Sequence, residues 1–223
     1  MRATIIAVVA ATAIVVAGCA RPSQTLATVT STVQPTICIN DMDANRAAAT
    51  LSPAEAEDEV LCLINKQRAN HGLNALNANP ILGQVAAAHA TASVTLKWWP
   101  ASGGHSVHVN PQTGMDAAAR IREAGYCPMN RDNVARGENV YAGQYWGTPT
   151  PDIMAKTTSP AAAVNGWMNS PGHRANILNP AYRESGIAVL RGVPISGAPA
   201  GQDGYVFVQS FGGCEQQDLQ PHS

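Results

Sequence analysis

The stretch that most constrains the fold of this chain runs from Ser159 to Val189 and reads SPAAAVNGWMNSPGHRANILNPAYRESGIAV. Ser159 is a typical N-cap residue, and Pro160 follows at the first helical position, where a missing N–H group costs nothing. The apolar residues that come next recur at helical spacing. This pattern predicts a helix with Trp167 as its buried anchor.

A Pro-Gly break in the same stretch presents a histidine. Because Pro171 disfavours helical backbone at Ser170, the helix is predicted to end at Ser170-Pro171-Gly172. His173 would then lie on a short turn beside a buried tryptophan. An imidazole in that place can serve a binding site, or it can simply bond the local backbone, and the pattern alone leaves both interpretations open.

The first eighteen residues resemble an export signal. Arg2 supplies a positive start, and the apolar run Ala3–Ala17 is shorter than the roughly 20 residues of a membrane-spanning helix. The run ends in V-A-G-C, which resembles a bacterial lipobox whose cysteine, Cys19, becomes the lipid-modified first residue. We therefore predict an exported lipoprotein that faces outward from the cell membrane through acyl chains on Cys19. Ordinary cleavage, which gives a secreted protein, and an uncleaved anchor are the alternatives.

Four further cysteines, Cys38, Cys62, Cys127 and Cys214, are an even number in an exported chain. Export implies an oxidising compartment, so two disulfides are expected, and four cysteines allow three pairings. The favoured pairing is Cys38–Cys62 with Cys127–Cys214, although the sequence does not choose among the three. None of these cysteines has the close spacing of a zinc knuckle.

Length and charge limit the domain count and the partners. The chain has 223 residues and a formal net charge of −1. This near-neutral charge argues against nucleic acid as a partner. We expect a signal peptide at residues 1–18, a lipidated N-terminus and flexible Ser/Thr/Pro/Gln-rich linker at 19–50, one folded domain at 51–214 and a short tail at 215–223.

Three helices are predicted before the opening stretch. The first has a capping box at Ser52 and Glu55, the second starts at Asn79, and a short third helix ends before Gly125. His89 lies on the apolar face of the second helix. A histidine in such a place is expected to be a satisfied core residue rather than part of a site.

Strand patterns dominate the second half of the chain. A strand is predicted at Gly137–Ala142, followed by a Pro/Thr loop at Gln144–Thr158. Gly186–Arg191 and Tyr205–Phe211 are two further strands, which form a long-looped hairpin. Helices first and paired strands later indicate an α+β domain with an antiparallel sheet.

Six motifs in the family's order resemble the CAP superfamily, and the resemblance covers roughly Pro53 to Gly213. This superfamily comprises cysteine-rich secretory proteins, antigen 5 and pathogenesis-related proteins, and its domain is also called SCP. The S-P-G-H-R form found here is common in bacterial members. The motifs are L-x-x-V-A-x-x-H-A from Leu82, A-G-Y from Ala124, G-E-N-V-Y-A-G from Gly137, W-M-N-S-P-G-H-R-A-N-I-L-N-P from Trp167, S-G-I-A-V from Ser185 and Y-V-F-V-Q-S-F-G from Tyr205.

The resemblance implies a three-layer α-β-α sandwich with a central antiparallel sheet. It also implies a cleft lined by two histidines and one or two acids, which in some members holds a divalent metal. The acid of G-E-N corresponds to Glu138, and the second histidine corresponds to His173. The turn at Asn110–Gly114 favours His108 over His105 as the first histidine.

One part of the family pattern is missing from this chain. The position of the second acid in animal and plant members is Ser170 here, and Glu184 and Gln209 are accessory candidates to replace it. Two neutral imidazoles and one carboxylate would suit zinc, with an open position for water. No H-E-x-x-H helix or G-x-S-x-G elbow supports a hydrolytic centre.

Two function hypotheses follow. The first is a membrane-tethered binding module, without enzymatic activity, for a lipid or sterol-like ligand, a cell-envelope component or a host protein. The alternative is a divalent-metal-dependent hydrolase that uses His108, Glu138 and His173. We favour the binding module because the second acid is missing and no nucleophile can be identified.

Overall fold

A four-stranded sheet lies between two helical layers in a computed structural model, which describes residues 43–102, 104–128 and 133–214. The chain divides into two units, Met1–Gln34 and Pro35–Ser223, and all of the described residues belong to the second. Their helices are α1 (Pro53–Asn70), α2 (Pro80–Leu96), α3 (Ala117–Glu123), α4 (Pro151–Thr158), α5 (Pro160–Met168) and α6 (Pro171–Ile177), and their strands are β1 (Asn77–Ala78), β2 (Arg136–Trp146), β3 (Glu184–Arg191) and β4 (Gln202–Gly212).

The sheet has the strand order β1-β3-β4-β2. Strands β2, β4 and β3 pair antiparallel, whereas the two-residue β1 pairs parallel to β3. The α+β class is confirmed, and β1 makes the sheet mixed rather than wholly antiparallel. Strand β2 is an edge strand, and the order of the strands places it next to β4.

Each face of the sheet carries its own hydrophobic core. On one face α2 packs through Ala86 and Ala90 against Val140, Val206 and Val208. On the other face α1, α5 and α6 pack around the side chains Val60, Ile64, Trp167, Ile177, Phe207 and Phe211. Alternate residues of β2 and β4 therefore point into different cores, as expected for a sheet buried on both faces.

Both long helices begin where the sequence predicts. Ser52 and Glu55 form a complete capping box at the start of α1. Asn79 caps α2, accepting hydrogen bonds from the backbone N–H groups of Ile81 and Leu82. The short third helix, α3, is capped by Asp116. Local signals determine these starts because the cap side chains satisfy backbone donors that have no partner within the helix.

Two predictions about the second half of the chain are wrong. The predicted loop at Gln144–Thr158 contains the end of β2 and all of α4, which begins with Thr150 as its cap and Pro151 at its first position. The predicted turn around His173 is the first turn of α6. In both places proline starts a helix, because its missing N–H is tolerated at the first helical position. The helix predicted from Ser159 does end before Pro171, at Met168.

The disulfide Cys127–Cys214 is confirmed, with Cα atoms 5.6 Å apart. Cys62 is also disulfide-bonded, and Cys38, its predicted partner, lies outside the described residues together with the predicted signal peptide, Cys19 and the tail at 215–223. Ala48 is buried in the core, so the packed domain begins before Leu51. Within the described ranges, no helix combines the length and apolarity needed to span a bilayer.

Candidate functional site

Glu138 is the centre of the candidate site, and its place in β2 buries it. Even-numbered residues of β2 share the face that packs on α2, since Val140 belongs to that core. Glu138 precedes Val140 on the same face, and its side chain is only 1% exposed. A carboxylate buried to this extent requires compensating partners.

Three side chains supply that compensation. His108, at the end of a short 3₁₀ helix, has its Nδ1 3.0 Å from Glu138 Oε1. Arg120 of α3 donates from its guanidinium to Glu138 Oε2 at 2.5 Å. His89 approaches from α2, with Nε2 3.6 Å from Oε1. Both carboxylate oxygens therefore have partners.

Glu138 is ionised at neutral pH, and its charge determines the tautomer of its neighbour. Burial alone would raise the pKa of Glu138, but the His108 hydrogen bond and the charges of His89 and Arg120 together lower it below its ordinary value. An ionised carboxylate only accepts hydrogen bonds, so His108 donates to it from Nδ1. In neutral His108, Nε2 then carries the lone pair.

His173 faces His108 from α6. The two imidazole rings are 6.2 Å apart between centroids, with planes at 63°. Burial and the nearby His108 lower the pKa of His173, so its neutral form is favoured. Two asparagines hold α6 at this distance, since Asn139 donates to the His173 carbonyl and Asn176 donates to both the Glu138 carbonyl and Asn139 Oδ1.

The histidine pair separates two lobes of one cleft, and His108, Ser170 and His173 line both. The polar lobe has a volume of about 370 Å³ and includes Asp116, Arg136, Glu138 and Asn176. The second lobe, called the apolar lobe because no Asp, Glu, Lys or Arg lines it, has a volume of about 500 Å³ and includes Trp99, Val107, Ala142, Gln144 and Ile195. Both volumes fall within the range of small-molecule sites, about 300–1,000 Å³.

His89 is buried, as predicted, but it also belongs to the wall behind the site. Its Nε2 donates to the Val107 carbonyl at 3.0 Å, and its ring lies edge-on to Trp98. Its Nδ1 is buried without a hydrogen-bond partner among the described residues, so the predicted full satisfaction of this histidine is not met. Burial lowers the pKa of His89, although the charge of Glu138 opposes this shift. The pattern of α2 alone predicts a core position for His89. It cannot show the contact with Glu138, because Glu138 lies in β2, far along the chain.

The structure brings together only some of the other predicted residues. Ser170 lies at the junction of the two lobes, and His105 begins the 3₁₀ helix that ends with His108. Glu184 lies elsewhere, where it accepts hydrogen bonds from Asn79 and Tyr126 beside a separate cavity of about 600 Å³. Gln209 is buried in the sheet, where it donates to Ser185 and lines neither lobe.

Arg120 is the site residue that sequence reasoning missed. An arginine in the alanine-rich segment A-A-A-R-I-R-E reads as a solvent-exposed charge. In the structure its side chain is 10% exposed, and it also donates to the carbonyls of His108 and Met115. Arg120 thus connects Glu138 to the segment that carries His108. The only local signal is the adjacent Ile121, whose burial fixes which face of α3 points inward.

The predicted three-residue zinc set does not fit this arrangement. Glu138 uses both oxygens for Arg120 and His108, so it orients the imidazole instead of presenting a free ligand atom. Zinc sites in proteins ordinarily use three or four protein ligands. Across the described ranges, no group of three or more His, Cys, Asp or Glu side chains is placed to hold a metal ion.

One family model and several solved structures are similar to this chain. The family described as "Cysteine-rich secretory protein family" (CAP) matches residues 61–211. No curated protein matches the chain. Similar solved structures include an extracellular SCP-domain protein of Bacillus anthracis, with 20% identity and a TM-score of 0.47 over 72% of this chain and 43% of that one. An outer surface protein of Borrelia burgdorferi has 19% identity and a TM-score of 0.47 over 70% and 90%. A cysteine-rich secretory protein of Staphylococcus aureus has 15% identity and a TM-score of 0.44 over 74% and 40%. The chain thus spans less than half of the Bacillus and Staphylococcus proteins.

Proposed function

Because the chain belongs to the cysteine-rich secretory protein (CAP) family, we propose that it is an exported binding module. The export signal and lipobox support a lipoprotein tethered to the cell membrane through Cys19. Its ligand is a lipid or sterol-like molecule, a component of the cell envelope or a host protein. The two-lobed cleft binds this ligand, so that one end of the ligand lies in the polar lobe and the other end lies in the apolar lobe.

One observation carries this proposal: the only carboxylate among the three residues His108, Glu138 and His173 is fully engaged. Glu138 is buried, ionised and bonded through both oxygens. Glu138 therefore presents no free oxygen to a substrate and does not itself serve as a general base. Its role is to fix the orientation of His108 at the junction of the lobes, which favours ligand binding over hydrolysis.

The metal-dependent hydrolase remains the alternative from a different class. It would need a third ligand and a general base besides the two imidazoles. Because Glu138 is held by Arg120 at 2.5 Å, releasing it for either task would leave a buried guanidinium without its counter-ion. This cost is the reason that we propose the binding module.

A bulky residue at the junction of the lobes tests the proposal. Ser170 lines both lobes and makes no side-chain cap hydrogen bond to α6, so Ser170→Trp fills the cleft without removing a cap. Ala175→Trp is the matched control, since Ala175 is exposed on the same helix and lines neither lobe. The probes are phosphatidylglycerol vesicles, purified cell-wall sacculi and a random-peptide library, each titrated against the full-length chain.

We expect Ser170→Trp to weaken binding to at least one probe by about tenfold or more, which corresponds to about 1.4 kcal/mol. Ala175→Trp should bind as the wild type does. If Ser170→Trp weakens the binding of none of the probes, the cleft is not a binding site. Probe hydrolysis that requires zinc and is lost in His108→Ala and His173→Ala would favour the alternative.

A further inference from the structure

The free edge of the sheet runs along the apolar lobe. Among the described residues, strand β2 pairs with β4 on one side only, and Val140, Ala142 and Gln144 of this strand line the lobe. An unpaired strand edge presents a row of backbone N–H and C=O groups that can pair with another chain. The register of β2 determines which of its residues present these groups.

Odd-numbered residues of β2 use their backbone groups for β4. Just outside the two ends of the strand, Gly147 N donates to the Gly201 carbonyl, and Gly213 N donates to the Ala135 carbonyl. Since bonding alternates along an antiparallel pair with a continuous register, residues 135 to 147 with odd numbers face β4. The backbone groups of the even-numbered residues therefore point away from the sheet.

The outward carbonyl groups are capped at one end of β2 and open at the other. Asn176 donates to the Glu138 carbonyl, and the Trp167 indole donates to the Val140 carbonyl at 2.9 Å. Beyond this point, the outward N–H and C=O groups of Ala142 and Gln144 have no hydrogen-bond partner in the described part of the chain. The protein blocks strand pairing beside Glu138 and leaves it open where the apolar lobe begins.

We propose that the apolar lobe binds an extended polypeptide segment, which adds as a strand to the open edge of β2 at Ala142 and Gln144. This inference rests on the proposed binding function and names the class of ligand. The two residues offer two donors and two acceptors, spaced about 7 Å apart along the strand, as a pairing chain requires. A lipid has no regular row of amides to satisfy them.

The walls of the lobe define the chemistry of this segment. The lobe is lined by the apolar side chains Trp99, Val107 and Ile195 and, at its junction with the polar lobe, by His108, Ser170 and His173. It contains no Asp, Glu, Lys or Arg among its lining residues. Trp146, at the end of the same edge, is 61% exposed and offers a large apolar surface to a bound chain. The segment therefore carries uncharged, apolar side chains at alternate positions and belongs to another protein of the envelope or the host.

Backbone methylation of the ligand tests the inference without changing the protein. A twelve-residue peptide is selected from a random library against the full-length chain and resynthesised with N-methyl groups on either its odd or its even residues. Strand addition uses alternate N–H groups, so one methylated set should lose binding by at least about tenfold while the other retains it. Equal affinities for the two sets would overturn the inference.

A proline at the open edge supplies the second test. Gln144→Pro removes an outward N–H that takes no part in pairing with β4, and Gln144→Thr retains this N–H. Both variants lose the Gln144 side chain and its contact with Gln202, so they form a matched pair. Gln144→Pro should bind the peptide about tenfold or more weakly than Gln144→Thr, because both variants have lost the Gln144 side chain and only the proline variant has lost the N–H.

The outcomes separate this inference from the function on which it rests. If vesicles or sacculi bind and Ser170→Trp abolishes that binding, but no peptide can be selected, the cleft is a binding site and strand addition is wrong. Equal peptide binding by Gln144→Pro and Gln144→Thr also contradicts strand addition. If Ser170→Trp changes no binding to any probe, the proposed function itself fails.

Discussion

At the scale of single residues, the site depends on one buried carboxylate. Glu138 joins three segments, because His108, His89 and Arg120 come from different parts of the chain and converge on it. The sequence indicated Glu138 and both cleft histidines through the family motifs. It did not indicate Arg120, whose burial results from the packing of α3 against β2 and has only the adjacent Ile121 as a local signal.

The first prediction concerns the buried pair Glu138–Arg120. Glu138→Gln keeps the shape of the side chain but leaves the Arg120 guanidinium buried without its counter-ion. We expect the free energy of unfolding to fall by about 3–5 kcal/mol, measured by urea denaturation of the full-length chain. Asp152→Asn, which breaks the exposed pair with Lys156, should change stability little. Similar losses in the two variants would contradict the assigned role of Glu138.

The second prediction concerns pH. The folded pKa of Glu138 is lower than its ordinary value of 4.5, so the folded state binds fewer protons than the unfolded state as the pH falls below that value. The stabilisation from ionised Glu138 is thus fully present above pH 4.5 and is lost during acidification through the folded pKa. Denaturation between pH 6 and pH 3 should show a smaller loss in Glu138→Gln than in the wild type. Parallel curves would contradict this linkage.

At the scale of helices and strands, the sequence predicted the helix starts that have a recognisable N-cap residue. Ser52 and Asn79 mark α1 and α2 correctly. The turn predicted around His173 was wrong because proline can follow the end of one helix and also begin the next. Only the packing of the residues after Pro171 shows that a new helix, α6, begins there. Ile177 is fully buried in the core, which holds α6 in place and with it His173.

Close contact between α2 and β3 sets the distance between the helix that carries His89 and the sheet. A Cβ atom on Gly186 would lie 1.9 Å from the backbone nitrogen of Gly83, whereas a Cβ on Gly83 itself would meet nothing within 4 Å. The glycine in β3 is therefore required by the approach of the helix, and the glycine in α2 is not.

The third prediction uses this asymmetry. Gly186→Ala should destabilise the fold by about 1–3 kcal/mol, because α2 must move away from the sheet. Gly83→Ala is the matched control on the other side of the contact, and it should stabilise the fold by up to about 1 kcal/mol through helix propensity. Urea midpoints of the two variants measure both effects. A stable Gly186→Ala protein would show that the contact is not as close as described.

At the scale of the whole molecule, the fold is supported by both the sequence and the structure, whereas the lipid anchor is supported by the sequence alone. The α+β sandwich follows from periodicity, caps and family motifs, and the structure confirms it together with Cys127–Cys214. The lipid anchor rests on the leader alone, in which Cys19 ends an apolar run. The sequence does not predict the open edge of β2. Which backbone groups face outward depends on the register of the strands, and neither composition nor motif spacing determines that register.

The fourth prediction concerns the anchor. Cys19→Ser removes the thiol that a lipobox-processing pathway would modify, so the variant should leave the membrane fraction and appear in the soluble fraction. Cell fractionation measures this change, and mass spectrometry of the wild-type N-terminus should show acyl chains on Cys19. Retention of Cys19→Ser in the membrane would contradict lipid anchoring.

The central claim is that the cleft binds a ligand through its shape and backbone groups and performs no metal-dependent chemistry on it. Calorimetric titration of the library-selected peptide into the full-length chain, with a chelator and then with added zinc, tests this claim most directly. We predict the same dissociation constant in both conditions and an intact peptide afterwards. Binding or cleavage that requires zinc, and that His108→Ala and His173→Ala abolish, would contradict it.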